Sequence, residues 1–239
     1  GDFRLAITGT SSDGISKADE DDGNSEEDPY ESLTLSANGG LSLGGDARLS
    51  ADLLWTDAES EFDASGGPGG DSDRLSATEE LSANVSLTGS LLNGQLDNLL
   101  LVGYSDISRE NFTDGAPSFS AEGDRMLYRY QGTLTINPQN TLAFGAERED
   151  STANEDDTSI DGLFALYAYK PSDQVTLTGG VRVDDHERFG SETTGRVAAA
   201  YNPTDMLTLR ASWGQGFKAP TIFQTTFFCC GATEPNADL

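Results

Sequence analysis

Basic residues are scarce in this sequence of 239 residues. Lysine and arginine together number 14 against 41 aspartates and glutamates, which gives a formal net charge of −27. Proteins that bind nucleic acid neutralise its phosphates with lysine and arginine, so this composition excludes nucleic acid as a partner. The aromatic and aliphatic residues occur in patterned segments, and the acidic residues lie mostly between them. The pattern therefore favours a folded chain over a disordered one.

Long apolar runs are absent as well. A transmembrane helix needs roughly 18 or more consecutive apolar residues, and the sequence has no such stretch. A basic region followed by an apolar segment would indicate a signal peptide, and the first residues of the chain show neither.

Cysteine and histidine are too few for a disulfide scaffold or a zinc site. Cys229 and Cys230 are adjacent, so they bridge each other only with strain, and His186 is the one histidine. A Ser-His-Asp site would need a nucleophile held beside that histidine. A lone histidine at a loop mouth is more typically solvated. We therefore predict no catalysis and a solvated His186.

Alternation with a period of two dominates the remaining pattern. In the stretch 207–218 the odd positions are mostly apolar, and the even positions are small or polar. Similar runs occupy residues 33–41, 49–55, 81–87, 125–136 and 175–184. Such alternation predicts about eleven strands. Many reach the roughly 9–11 residues that a tilted strand needs to cross a bilayer, against about 5–6 in soluble proteins.

Short and long connections alternate along the chain. Turn-forming Gly, Pro, Asn and Asp residues mark short turns at 43–46, 93–95, 137–140, 171–174 and 202–205. Longer polar loops are predicted at 12–29, 57–76, 107–123, 149–159 and 184–192. Outer-membrane barrels have short turns at one end and long loops at the other. The fold class predicted is therefore all-β, an antiparallel up-and-down transmembrane β-barrel.

Aromatic residues near the strand ends favour a membrane barrel over a soluble all-β protein. A barrel in a membrane carries a girdle of aromatic residues at each interface. The candidates for such a girdle are Trp55, Tyr104, Tyr128, Tyr167, Tyr169 and Tyr201.

The last sixty or so residues carry a family resemblance. The matching pieces are Arg182-Val183-Asp184-Asp185, Phe189-Gly190, Tyr201-Asn202-Pro203, and above all the run Arg210-Ala211-Ser212-Trp213-Gly214-Gln215-Gly216-Phe217-Lys218-Ala219-Pro220. This segment resembles the mid-barrel signature of TonB-dependent receptors. The earlier part, from Phe3 to Lys170, is similar in its rhythm of strands and loops, closest to the vitamin B12 receptor type. In that family an Asn-Pro-x-Leu sequence follows, and Asn236-Ala237-Asp238-Leu239 resembles its start, with Ala in place of Pro.

The resemblance implies a protein larger than this chain. Transporters of the family have roughly 22 strands around a plugged lumen. Residues 1–239 would be a partial barrel domain, with about eleven of those strands. The plug would precede Gly1 and the second half of the barrel would follow Leu239. An eleven-strand segment alone would leave unpaired strand edges, which are costly in lipid.

The resemblance also implies function and partners. We expect an outer-membrane receptor of a Gram-negative bacterium, surrounded by outer-membrane lipid. It would take up a scarce small-molecule ligand such as a ferric siderophore or cobalamin. Energy would come from the inner-membrane TonB complex through the missing plug. Candidate ligand-binding residues are Arg210, Lys218, Phe227, Phe228, Cys229 and Cys230. For the Phe and Cys residues, a hydrophobic loop tip or pairing of the cysteines beyond Leu239 is an equally open interpretation.

Acidic loops allow two interpretations. One is a solvated, mutually repelling outer surface, whose third acidic loop would begin at Glu147. The other is Ca²⁺, which takes six to eight oxygen ligands and which B12-type receptors bind in this way. The candidate calcium ligands are Asp63, Asp71, Asp73, Asp114 and Asp124.

Two other function classes remain. A small self-contained outer-membrane barrel would act as a passive pore or a hydrolase. A soluble calcium-dependent adhesin would lack the bilayer-length strands and the aromatic girdle.

Overall fold

The computed structural model describes residues 1–15, 21, 27–63, 70 and 72–226 of the chain. Eleven β-strands and one short helix make up this described part. The strands are β1 (Asp2–Ser12), β2 (Tyr30–Gly44), β3 (Ala47–Glu61), β4 (Arg74–Leu91), β5 (Leu96–Thr113), β6 (Ala116–Asn137), β7 (Asn140–Ala153), β8 (Asp156–Ser172), β9 (Val175–His186), β10 (Gly190–Thr204) and β11 (Leu207–Gly214), and the helix α1 is Ile222–Thr226. Within these ranges, no helix has the length and apolar character that spanning a membrane requires.

The eleven strands form one antiparallel sheet in chain order, from β1 at one edge to β11 at the other. Each strand hydrogen-bonds to the strand that follows it in sequence. The predicted all-β class and the up-and-down order are therefore confirmed.

Strands are longer than predicted at the end of the sheet where loops were expected. The predicted loops 107–123, 149–159 and 184–192 are wrong, because most of their residues extend the strands. Asp114 (φ 52°) and Gly115 (φ 70°) turn β5 into β6, and Asn154 (φ 54°) lies in the β7–β8 turn. Asp-Gly favours a tight hairpin turn with positive φ. Polar residues can also continue a strand where water solvates both of its faces.

The opposite end of the sheet matches the prediction. β2 and β3 are joined by a turn that begins at Gly44 (φ 102°) and Gly45 (φ 56°). Asn93 (φ 58°) and Gly94 (φ 85°) lie in the β4–β5 turn. Residues 138–139, 173–174 and 205–206 join the later strands just as tightly. The long connections are 13–29 and 62–73, so the predicted alternation holds for those two only.

The chain divides into two compact units. The first comprises Gly1–Gly40, Ser50–Asn84 and Gly103–Arg125. Within it, β1 pairs with β2 from Asp2↔Gly40 to Ser12↔Tyr30. The Trp55 indole donates to Glu79 Oε1 at 2.8 Å.

The second unit comprises Leu41–Leu49, Val85–Val102 and Met126–Leu239. It contains β7 to β11, whose pairing is continuous apart from register shifts after Tyr169 and Tyr201, near the tight turns. This unit carries the most developed arrangement of side chains in the described part of the chain.

Candidate functional site

Strands β7 to β10 have two chemically different faces. Cross-strand partners in an antiparallel sheet lie on the same side, and neighbours along a strand lie on opposite sides. The register therefore fixes both faces. The polar face is formed by Glu147, Gly162, Phe164, Leu166, Gly180, Arg182, Asp184, Thr194 and Arg196. The apolar face is formed by Leu163, Tyr167, Tyr169, Leu177, Val181, Val183 and Val197, and continues on β11 through Leu209 and Trp213.

A network of charged groups crosses the polar face. Arg129 of β6 and Arg182 of β9 both form ion pairs with Glu147 of β7, one to each carboxylate oxygen. Arg182 also holds Asp184, with Nε at 2.8 Å from Oδ1 and Nη2 at 2.7 Å from the same oxygen. The Glu147 and Asp184 side chains are only 10% and 8% exposed, and those of Arg129 and Arg182 are 37% and 39% exposed. The guanidinium groups therefore cover the carboxylates and remain accessible themselves from the polar side.

Gly162 makes the network possible. It lies on β8, between Glu147 of β7 and Asp184 of β9 in the register. A Cβ at this position would lie 2.5 Å from Arg182 Nη2 and 3.1 Å from Asp184 Oδ1. Because glycine has no side chain, the Arg182 guanidinium reaches across β8 to Glu147.

Two apolar side chains of the polar face cover neighbouring glycines. A Cβ at Gly145 would meet the ring of Phe164 at 2.5 Å, and one at Gly180 would meet Leu166 Cδ1 at 2.6 Å. Phe164 and Leu166 therefore pack over bare backbone, which shields the strand and fixes the register.

A cavity of about 440 Å³ opens on the polar face. Its wall includes Arg129, Gln131, Arg182, Arg196 and Gln215. Arginine offers five N–H donors and glutamine two, so this wall suits an occupant with carboxylate, phosphate or carbonyl oxygens. This chemistry binds and positions polar groups.

His186 is buried, so the prediction that it is solvated is wrong. Only 6% of the residue is exposed. Its Nδ1 accepts a hydrogen bond from the Arg188 backbone N–H at 3.1 Å, and its ring lies 4.9 Å from the Phe189 ring. The tight β9–β10 turn folds these residues onto the imidazole, and a structural role follows.

Glu147 and the segment Gly40–Gly44 also differ from what the sequence predicts. Glu147 was assigned to an acidic loop, but it lies within β7 with a nearly buried side chain. A Gly-x-Ser-x-Gly pattern occurs at Gly40–Gly44, a string that forms a nucleophile elbow when it joins a strand to a helix. Here it lies inside β2 at a β-turn, so it is not an elbow.

The calcium candidates are only partly described. Asp63 is 3% exposed and its Oδ1 accepts from the Ser72 backbone N–H at 3.3 Å. The Asp114 backbone N–H donates to the Asp73 carbonyl at 2.8 Å. Asp71 lies outside the described residues, and Asp124 lies in β6. Among the described residues, no three His, Cys, Asp or Glu side chains gather as metal ligands would. Calcium binding stays a prediction.

The ligand-binding candidates are likewise only partly described. Arg210 lies in β11 opposite Ala200, and it lines a second cavity of about 230 Å³ with Thr176 and Ser212. Lys218 is exposed after the end of β11. Phe227, Phe228, Cys229 and Cys230 lie outside the described residues. Their binding role stays a prediction too.

Comparison with known families gives a match over the whole chain. The family model described as "TonB dependent receptor-like, beta-barrel" matches residues 1–239. The vitamin B12 transporter BtuB of Photobacterium profundum is 27% identical over 227 residues, which is 92% of this chain and 36% of that protein. BtuB of Vibrio vulnificus is 23% identical over 82% of this chain and 34% of its own length. The chain thus spans about a third of these relatives.

Solved structures show the same fold at low identity. The siderophore receptor PirA of Acinetobacter baumannii has a TM-score of 0.75 at 11% identity, over 93% of this chain and 39% of that one. A mutant of the ferric enterobactin receptor PfeA of Pseudomonas aeruginosa has a TM-score of 0.76 at 13% identity, over 94% and 40%. The copper transporter OprC has a TM-score of 0.67 at 15% identity, over 92% and 42%.

Proposed function

The chain belongs to the TonB-dependent receptor-like β-barrel family, and on that premise we propose that it forms part of the barrel wall of an outer-membrane receptor. The family consists of transporters rather than enzymes, which confirms the prediction of no catalysis. The receptor takes up a scarce ligand of the vitamin B12 or ferric siderophore type. Uptake is driven by the TonB complex.

The observation that carries this proposal is the chemical difference between the two faces of β7–β11. Leu163 and Trp213 on the apolar face are 62% and 61% exposed, although burying such side chains is normally favourable. The apolar stretch of β9 runs from Val175 to Val183. That matches the roughly 9–11 residues with which a tilted strand crosses a bilayer. Lipid on this side, with a polar interior on the other, satisfies both faces.

Charged residues mark the end of the apolar stretch that lies away from the tight turns. The last apolar row across the strands consists of Ala146, Leu163 and Val183. The next row on the same face consists of Arg148, Asp161 and Asp185. Arg148 pairs with Asp161 at 3.1 Å, and both side chains are about half exposed. Such a charged row fits water and headgroups beyond the hydrocarbon, so it supports a membrane position for the strands below it.

The polar face supports the transport part of the proposal. A lumen that holds a plug or passes a polar ligand requires a wall with hydrogen-bonding groups. The cavity lined by Arg129, Arg182 and Arg196 supplies them in a chain that is otherwise strongly acidic. The relatives named above are vitamin B12 transporters and siderophore receptors, and they supply the two ligand classes to test first.

Uptake by cells that make the full-length protein tests the proposal. Radiolabelled vitamin B12 and a ferric siderophore are offered separately at limiting concentration, with and without a functional TonB complex. We expect accumulation of one ligand that depends on TonB. Accumulation that persists without TonB would indicate a passive pore instead. A protein absent from outer-membrane fractions would refute the proposal.

A further inference from the structure

A groove crosses the apolar face between β8 and β11. Its volume is about 640 Å³. Tyr167 and Tyr169 form one wall and Trp213 forms part of the other, while Gly179 and Ala199 lie between them. The register explains the shape, because Tyr167, Gly179, Val197 and Trp213 follow one another across the four strands. Large side chains flank a position that has none.

The chain's own described side chains leave the floor of the groove open. A Cβ at Gly179 would find no heavy atom within 4 Å. At Gly180, the next residue on the opposite face, a Cβ would lie 2.6 Å from Leu166 Cδ1. The open space at Gly179 is therefore a property of the apolar face and not of the local backbone.

We propose that this groove holds an acyl chain of a phospholipid. The inference rests on the proposed function, since it requires the apolar face to lie in the membrane. The groove is continuous with that face, because the exposed side chains of Leu177 and Val197 line it. A flexible chain of methylene groups matches an apolar floor between aromatic walls, and it fills the space that rigid neighbouring side chains leave.

The ends of the strands indicate where the lipid headgroup lies. The Tyr167 hydroxyl hydrogen-bonds to Asn140 Oδ1, and Asn140 begins β7 directly after the tight 138–139 turn. Tyr169 lies at the same end and on the same face, directly opposite Asn140 in the register, so both tyrosines mark this end of the groove. Short turns of outer-membrane barrels face the periplasm, where the membrane leaflet is made of phospholipid. The occupant is therefore phospholipid and not lipopolysaccharide.

Filling the groove tests the inference. The full-length protein is extracted in mild detergent, and its bound lipids are identified from the mass of the complex by native mass spectrometry. Gly179→Leu occupies the floor with a side chain that meets no clash. Thr193→Leu is the matched control, because Thr193 is exposed on the same face, pairs with Val183 and lies outside the groove. A difference in gel migration between heated and unheated samples verifies that each variant is folded. If Gly179→Leu does not fold, Ala199→Leu replaces it.

The wild type and Thr193→Leu are expected to retain one phospholipid, and the fraction carrying it should fall several-fold in Gly179→Leu. Equal retention in all three proteins would overturn the inference, as would retention of lipopolysaccharide or of no lipid by a folded, membrane-extracted wild type. Failure of the protein to reach the outer membrane would instead count against the proposed function.

Discussion

On one side of β7–β11, carboxylates are nearly buried, and on the other side, leucine and tryptophan are mostly exposed. Glu147 and Asp184 show 10% and 8% of their side chains, while Leu163 and Trp213 are 62% and 61% exposed. A soluble sheet protein has the reverse arrangement, with apolar residues packed and charges solvated. The proposed membrane position accounts for this contrast, because the apolar face would meet hydrocarbon and the other face a polar interior.

The same contrast extends to the glycines of β9. Gly179 and Gly180 are neighbours in sequence and lie on opposite faces, because side chains alternate along a strand. On the polar face, Leu166 packs over Gly180. On the apolar face, the space beside Gly179 is open. At this pair of residues, a side chain of the protein covers the polar side, whereas the apolar side has an open space that the proposed lipid would fill.

The largest expected effect comes from moving a charge onto the apolar face. Val181→Arg places a cation within the apolar stretch of β9, where arginine costs about 2–4 kcal/mol at the membrane midplane and less towards the interfaces. Ser212→Arg is the control, because Ser212 is an exposed residue opposite Ala198 on the polar side of β11. Its cost should stay within about 0.5 kcal/mol. The measurement is the free energy of unfolding in phospholipid vesicles by urea titration.

An equal loss of unfolding free energy in Val181→Arg and Ser212→Arg would mean that the two faces do not differ in their surroundings. The assignment of the apolar face to lipid would then be wrong.

How much of this arrangement follows from sequence can be judged on β9. The alternation of Val175, Leu177, Val181 and Val183 with polar residues predicted the strand and both of its faces, and the structure confirms them. Side-chain direction has a period of two, so it can be deduced from a single strand.

The charged network could not be deduced in that way. It joins side chains from β6, β7 and β9 across the intervening β8, and its formation depends on register and on the missing side chain of Gly162. Alternation places Arg129 and Arg182 on polar faces but does not say which carboxylate they meet. Glu147 was also misplaced, because acidic residues continue beyond it and no sequence signal separates a wet strand end from a loop.

A smaller effect is expected from breaking the charged network. Glu147→Gln removes the charge that two arginines share. A fully buried pair costs about 3–5 kcal/mol to break. Because Arg129 and Arg182 are 37% and 39% exposed, water compensates in part, and we expect a loss of about 2 kcal/mol. Arg148→Gln is the control, since its partners Asp150 and Asp161 are 43% and 57% exposed, and its loss of stability should be clearly smaller because water screens exposed ion pairs.

Both variants are compared by urea titration at low and high salt. The loss in Arg148→Gln should vanish at high salt, because exposed pairs are screened. The loss in Glu147→Gln should persist. Complete rescue of Glu147→Gln by salt would mean that the network is solvated and that Glu147 is not shielded from water.

The smallest expected effect on stability comes from adding a methyl group at Gly179 or Gly180, which are adjacent in sequence and lie on opposite faces. Gly180→Ala forces a methyl group against Leu166 Cδ1 at 2.6 Å and the Ala165 carbonyl at 3.2 Å, so overpacking should cost about 1–2 kcal/mol. Gly179→Ala meets nothing within 4 Å. Since alanine lowers the entropy of the unfolded chain, it should be neutral or stabilise by about 0.4–1 kcal/mol. Thermal unfolding of the two variants in the same vesicles provides the measurement. A reversed order would show that Leu166 moves freely, and the polar face would then be as open as the apolar one.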